Sequence, residues 1–252
     1  MGSVTGPVVD LREAGPGIAL LTMRDPTHKN AFTEEMVDGL QHAFAAVGRD
    51  DTCKVVVMTG YDSYFSSGGT QDGLLAIHEG RSRFTDLNLY SLALACEVPV
   101  ISAMQGHGIG GGFVMGLYAD FVVLSRESVY TANFMRYGFT PGMGATCILP
   151  RKLGLPLAQE MLLNGAGHQG GELAARGVPF PVLPRKDVLP EALRLARELA
   201  DKPAVSLRAL KQHLVAPIRE ELPGVIEAEL AMHELTFHRE EVRQRVTDLF
   251  GE

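Results

Sequence analysis

The stretch best suited to chemistry in this 252-residue chain is Val98 to Leu117, reading V-P-V-I-S-A-M-Q-G-H-G-I-G-G-G-F-V-M-G-L. An apolar run, Pro99 to Met104, passes into Gly106, Gly108, Gly110, Gly111 and Gly112, and then into a second apolar run. Three adjacent glycines weaken a helix or strand interior, so the passage requires bare backbone. Bare backbone serves either close packing of a buried helix or the exposure of amide N–H groups to a negative oxygen. A second stretch is built the same way: Cys53 to Thr59 reads as a buried strand, Gly60 closes it, and Tyr64-Phe65-Ser66-Ser67-Gly68-Gly69-Thr70 follows. Two strand ends, each with a glycine-supported turn, can aim two backbone donors at one oxygen. That is the geometry that stabilises a thioester enolate.

Together these stretches resemble the enoyl-CoA hydratase/isomerase (crotonase) superfamily, over nearly the whole chain. His28-Lys29-Asn30-Ala31-Phe32 looks like the family's segment before its first long helix. Phe65 to Thr70 looks like the first oxyanion loop and Gly106 to Gly112 like the second. Gly138-Phe139-Thr140-Pro141-Gly142-Met143-Gly144 looks like the turn that borders the acyl pocket. The resemblance implies that the oxyanion amides are those of Gly69 and Gly111. It also implies an α/β fold: a crotonase-like ββα spiral core over residues 1–200, a C-terminal helical subdomain over 201–252, and a homotrimer or dimer of trimers.

The hydratase branch of that family adds water with two glutamates. One lies three residues after the central oxyanion glycine, the other four residues before the glycine of the pocket turn. Here those positions are Val114 and Phe134, which can neither ionise nor orient water. An enolate-stabilising backbone without bases suits a substrate that generates its own enolate by losing carbon dioxide. Around Gly68 to Leu75, Gln105 to Gly108, Thr131 to Phe134 and Met232 to Glu234, the chain is similar to the second enoyl-CoA hydratase-like enzyme of polyketide β-branching cassettes. Those enzymes decarboxylate a 3-methylglutaconyl group on an acyl carrier protein to a 3-methylcrotonyl-type thioester.

That likeness implies a lysine after the first loop and a histidine in the C-terminal helices. The histidine position is His233, the expected proton donor. At the lysine position stands Arg83, with Arg81 two residues before it. An arginine binds a carboxylate bidentately but does not readily give up a proton, so Arg83 is assigned to the departing carboxylate only. His238, about 140° round an ideal helix from His233, is not expected to share its pocket, and His107 is expected to support the glycine loop. Lys29, Lys211 and, less directly, Arg81 are the expected contacts for the phosphate of a phosphopantetheine arm, on a carrier protein or on CoA.

The elements that must position these residues are legible in outline. Val8 to Leu11 and Ile18 to Met23 read as a hairpin within residues 6–23. Thr33 followed by Glu34 and Glu35 reads as a helix start, with Met36, Val37, Leu40, Phe44 and Val47 as its apolar stripe. Residues 70–90 are polar and weakly periodic, a loop or lid over the pocket, with a helix expected over 87–94. Val178 to Val182 is excluded from a central strand by its two prolines. A helix is expected from Pro190 to Ala200. Two charged helical stretches follow, Ser206 to Val215 and Glu221 to Phe237, the second with Ile226, Leu230, His233 and Phe237 on one side.

The net charge of −7 argues against general nucleic-acid binding. Three cysteines without paired spacing fit a reducing compartment. The N-terminus lacks a signal-peptide pattern, and no apolar run reaches membrane-spanning length, so the expectation is a soluble cytoplasmic protein. No cluster has metal-ligand spacing, and Gly108 to Gly112 lacks the acidic context of a nicotinamide site, so neither a metal nor a redox cofactor is expected. Two alternatives stay open: a double-bond isomerase on an acyl thioester, and a non-catalytic scaffold that binds an acyl carrier.

Overall fold

The computed structural model describes residues 4, 5 and 8–250; residues 6 and 7 of the expected hairpin lie outside them. Among the described residues, a seven-stranded sheet has the order β1 (Val4–Thr5), β2 (Val9–Gly15), β3 (Ile18–Met23), β4 (Val55–Thr59), β6 (Val100–Met104), β8 (Phe121–Ser125) and β11 (Val182–Leu183). A four-stranded sheet has the order β10 (Gly167–Gln169), β9 (Val129–Thr131), β7 (His107–Ile109) and β5 (Tyr64–Ser66). The helices, in chain order, are α1 (Glu34–Gly48), α2 (Gln71–His78), α3 (Leu92–Ala95), α4 (Gly111–Leu117) and α5 (Ala145–Leu153). They continue with α6 (Leu155–Asn164), α7 (Gly170–Ala175), α8 (Arg185–Ala200), α9 (Ala204–Thr236) and α10 (Glu240–Leu249).

The first strands form an antiparallel meander, and β3, β4, β6, β8 and β11 are then parallel in turn. Each of β4, β6 and β8 is followed by a strand of the second sheet and then a helix, giving β4–β5–α2, β6–β7–α4 and β8–β9–α5. This is the ββα spiral. Strands buried on both faces read as unbroken apolar runs, and β4 is buried at all five positions. Its alternate residues part to opposite faces. Val55 and Val57 pack with Ile18, Ile101 and Val123 against Val188, Ala192 and Ala196 of α8. Val56 and Met58 enter the main core with Met36 and Leu40 of α1.

Thr33 caps α1, its hydroxyl accepting the Met36 N–H, and the five stripe residues are all buried. Elsewhere tertiary contacts moved the boundaries. Residues 71–78 form a helix rather than a loop, started by the Thr70 hydroxyl accepting the Gly73 N–H. Where a helix was expected over 87–94, only residues 92–95 are helical, because Asn88 takes a left-handed backbone (φ 45°). Helix α8 begins at Arg185, since Val188 already packs on the sheet, and carries Pro190 inside it.

The two C-terminal stretches are one 33-residue helix, α9, running through Pro217 and Pro223. Its buried residues are Lys211, Val215, Leu222, Glu229 and His233. Three of these five ionise, and each grips backbone groups of the core, so α9 docks by polar recognition as much as by apolar packing. Val215, Leu222, Phe237, Val242 and Val246 join the main core. Among the described residues, no helix is long and apolar enough to cross a membrane.

Candidate active site

The first glycine loop is held by the turn before α1. Lys29 and Asn30 both have left-handed backbones (φ 55° and 53°), uncommon for residues with a β-carbon. This brings the fully buried Asn30 amide to the carbonyls of Met23, Tyr64 and Phe65, at 3.1, 3.2 and 3.0 Å. Its own oxygen accepts the Asp25 N–H at 2.7 Å. The Ser66 hydroxyl donates to the Asn30 carbonyl at 2.8 Å, and the Phe32 N–H donates to the Gly68 carbonyl at 2.7 Å. Sequence reasoning saw the His28–Phe32 segment but not this role of Asn30; a polar residue between a turn and an apolar helix was the available signal.

The second loop is held from β9. The Gly110 N–H donates to the Thr131 carbonyl at 2.9 Å. His107 accepts the Val129 N–H at Nδ1, 2.9 Å away, so its ring proton is on Nε2; burial lowers its pKa. Gly111 is the first residue of α4, so its N–H has no acceptor within the helix. The two loops touch. A methyl group on Gly68 would lie 2.7 Å from the Ile109 carbonyl oxygen and 3.1 Å from the Gly111 nitrogen. One on Gly112 would lie 2.4 Å from the Ser66 carbonyl oxygen. The glycines are required by this close packing of the two loops.

Above Gly111 the wall is apolar: a methyl there would meet Met143 Sδ at 2.7 Å and Phe32 Cε2 at 2.9 Å. Val114 and Phe134 are both buried. Met143 is itself left-handed (φ 63°), between Gly142 and Gly144.

His233 reaches this turn from α9. It is 5 % exposed, and its Nε2–H is shared between the carbonyls of Thr140 (2.9 Å) and Pro141 (3.1 Å). Nδ1 is therefore the nitrogen left to carry or release a second proton. Burial lowers the imidazole pKa; the two carbonyls oppose that shift without overcoming it. A cleft of ≈ 240 Å³ is lined by Arg83, Phe84, His233, Glu234 and His238, among others. The structure thus brings Arg83 and His233 together. Phe84 packs against His233 with its ring tilted by 50° (centroids 4.9 Å apart) and meets Phe237 edge-on (5.6 Å). A β-carbon on Gly142 would touch both His233 and Phe84, so a single turn separates the histidine from the residues over Gly111.

His238 lines the same cleft, contrary to the helical-angle expectation. Helix α9 ends at Thr236, so ideal helix geometry does not apply to it; its Nδ1–H donates to the His78 carbonyl at 2.7 Å.

Of the expected phosphate contacts, Lys29 is exposed beside the first loop, its Nζ 5.7 Å from the Tyr64 ring centre. Arg81 is exposed and paired with Glu79. Lys211 is a correction. It is 4 % exposed, and its ammonium meets the carbonyls of Ala93 (2.9 Å) and Val98 (2.8 Å) and the Asp120 carboxylate (2.8 Å). All three donors are used, so it fastens α9 to the core and has none left for a phosphate. Asp120 also accepts the Val100 N–H. Lys211→Met is expected to lower stability by about 1.5–3 kcal/mol with unchanged KM for the thioester, checked by denaturant unfolding alongside kinetics. Among the described residues, no group of three or more His, Cys, Asp or Glu side chains is placed to hold a metal ion.

Residues 13–252 match the family model described as enoyl-CoA hydratase/isomerase. The chain is 62% identical to the bacillaene synthase decarboxylase PksI of Bacillus subtilis (strain 168), over 98% of this chain and 100% of that one. A solved structure from a dehydratase/decarboxylase enzyme couple involved in polyketide beta-branching superposes with TM-score 0.96 at 62% identity, covering 97% of this chain and 100% of that one. The ECH2 decarboxylase domain of CurF from Lyngbya majuscula superposes with TM-score 0.93 at 47% identity, with the same coverage.

Proposed function

The chain belongs to the enoyl-CoA hydratase/isomerase family, and we propose that it is a decarboxylase of polyketide β-branching acting on a 3-methylglutaconyl thioester. The observation that carries this is the likeness, over essentially the whole chain, to proteins that are themselves decarboxylases of this fold. The chemistry of the site fits. The bond to the terminal carboxylate breaks, and its electron pair passes through the carbon–carbon double bond onto the thioester oxygen. Carbon dioxide leaves, and one proton is added to the γ-carbon, giving the 3-methylcrotonyl thioester. The oxyanion is stabilised by the amides of Gly69 and Gly111, whose loops converge and need no reorganisation as charge develops. The buried Val114 and Phe134 offer no group to activate water, so the unsaturated product is not hydrated.

Arg83 binds the departing carboxylate and His233 returns the proton through Nδ1. Their common cleft supports this pairing. Arg83→Ala is expected to lower kcat/KM about 10–100-fold, the loss of a charge-assisted hydrogen bond, mainly through KM. Arg83→Lys is expected to recover part of it, because lysine supplies the charge but not the fork. Steady-state kinetics checks both, and an unchanged KM in Arg83→Ala would remove Arg83 from the site.

The substrate is carried on phosphopantetheine of an acyl carrier protein. Lys29, beside the first loop, is the better placed cation for its phosphate, and Arg81 the weaker. Exposed Val205, Leu210 and Leu214 on α9 fit association into the trimer or dimer of trimers, and three free thiols fit a cytoplasmic setting.

The test is intact-mass analysis of 3-methylglutaconyl carrier protein before and after incubation. Loss of one carbon dioxide supports decarboxylation. A shifted double bond at constant mass would make the protein an isomerase, and unchanged carrier and CoA thioesters would leave the scaffold.

A further inference from the structure

Helix α9 meets the pocket turn with polar side chains one helical turn apart. Glu229, 1 % exposed, accepts the Gly144 N–H at Oε2 (2.7 Å); at Oε1 it accepts the Thr146 N–H (3.0 Å) and hydroxyl (2.6 Å). One turn on, His233 holds the Thr140 and Pro141 carbonyls. The Tyr118 hydroxyl donates to the Gly144 carbonyl at 3.1 Å. Between these grips sits Met143, left-handed at φ 63°, where a β-carbon is strained against its own backbone. Such a conformation persists only where its surroundings over-determine it. The turn's peptide groups are held from both sides, and the side chain so displayed stands against Gly111.

We propose that Glu229 is a positioning residue for the acyl pocket: by binding the N–H groups of Gly144 and Thr146 it holds Met143 in its left-handed conformation against Gly111. It thereby sets where the thioester oxygen and the branched acyl chain can lie. A carboxylate is required because three donors converge on its two oxygens; a glutamine would turn an NH₂ group toward one of them. This inference deepens the decarboxylase reading and takes its substrate class from it.

The test uses protein labelled with carbon-13 at the methionine methyl groups, the Met143 signal being identified by its loss in Met143→Leu. In Glu229→Gln the Met143 resonance is expected to shift or split, and kcat to fall about 10–100-fold, as for a misplacement of order 1 Å. Combined with Met143→Ala, the loss is expected to be no greater than that of the worse single variant. An unmoved Met143 resonance, or losses that multiply in the double variant, would reduce Glu229 to a helix cap and overturn the proposal. If Glu229→Gln does not fold, Thr146→Val, which removes one donor, is expected to move the same resonance less; no movement there overturns the proposal equally. The resonance is read without substrate, so it tests Glu229 even if the wild-type protein leaves the thioester intact, a result that would count only against the assigned activity.

Discussion

Gly68→Ala is expected to lower kcat/KM about 10²–10³-fold, the effect of losing an oxyanion donor. The backbone there is left-handed (φ 81°), and the added methyl would lie 2.7 Å from the Ile109 carbonyl oxygen and 3.1 Å from the Gly111 nitrogen. Both neighbours are main-chain atoms, so the contact is relieved only if the two loops part. Parting them separates the amides of Gly69 and Gly111, which the proposed oxyanion hole brings to one oxygen. Gly177→Ala is the control. It is equally left-handed (φ 79°) but has nothing within 4 Å of an added β-carbon, so it carries the backbone strain of about 1–2 kcal/mol without touching the loops. Kinetics and thermal unfolding of both variants decide the matter. A Gly68→Ala enzyme with wild-type kcat/KM, or the same activity loss in Gly177→Ala, would sink the assignment of the loops.

His233→Gln is expected to lower kcat about 10²–10⁴-fold, the range for a positioned general acid, and to change the pH profile. Glutamine can still donate to the Thr140 and Pro141 carbonyls but has no titrating nitrogen. Decarboxylation takes up one proton per turnover, which in the proposed role His233 binds at Nδ1 before releasing it to carbon. Its pKa lies below the ordinary 6.5 because burial opposes charge. Activity in the free enzyme should therefore fall as pH rises through that lowered value. Arg83, Glu234 and His238 face the same cleft; the Glu234 carboxylate favours protonation and His238 opposes it. Stability has the opposite sign. The unfolded chain protonates this histidine more readily than the folded one, so stability is full above about pH 6.5 and is lost as pH falls through the folded pKa. A pH–rate profile of wild type and His233→Gln tests the role, and persistence of the same descending limb in the variant would assign that limb to another group.

What was legible in the sequence is what is local. The run Val-Val-Val-Met-Thr reads as a doubly buried strand because each residue is apolar or β-branched, and it is one. Thr33 before two glutamates reads as a helix start because a hydroxyl there satisfies an orphan N–H, and it does. The strand, glycine passage and helix at 98–117 were legible, whereas the helix after 53–70 was read as a loop and the ββα repeat itself was implied only by the family resemblance. The resemblance placed Val114 and Phe134 where the family's water-activating carboxylates would stand.

Helix boundaries slipped where a side chain from elsewhere decided them, as at Val188, or where one residue left the helical region, as at Asn88. The charged C-terminal helix was the least legible. Its apolar stripe of Ile226, Leu230, His233 and Phe237 is buried at His233 and Phe237, but the helix also buries Lys211 and Glu229, which the stripe does not include. Lys211, Glu229 and His233 are each satisfied by main-chain groups more than eighty residues away in sequence, and no periodicity encodes such a partner. By itself the sequence determined strands β2, β3, β4 and β6 and the two glycine passages, because burial pattern and backbone freedom are properties of neighbouring residues, and the family resemblance located the missing hydratase carboxylates. Only the tertiary structure decided that Lys211 is a structural anchor, that Arg83, His233 and His238 share a cleft, and that Glu229 grips the pocket turn. The value of a buried polar group depends on which backbone atoms the fold sets against it.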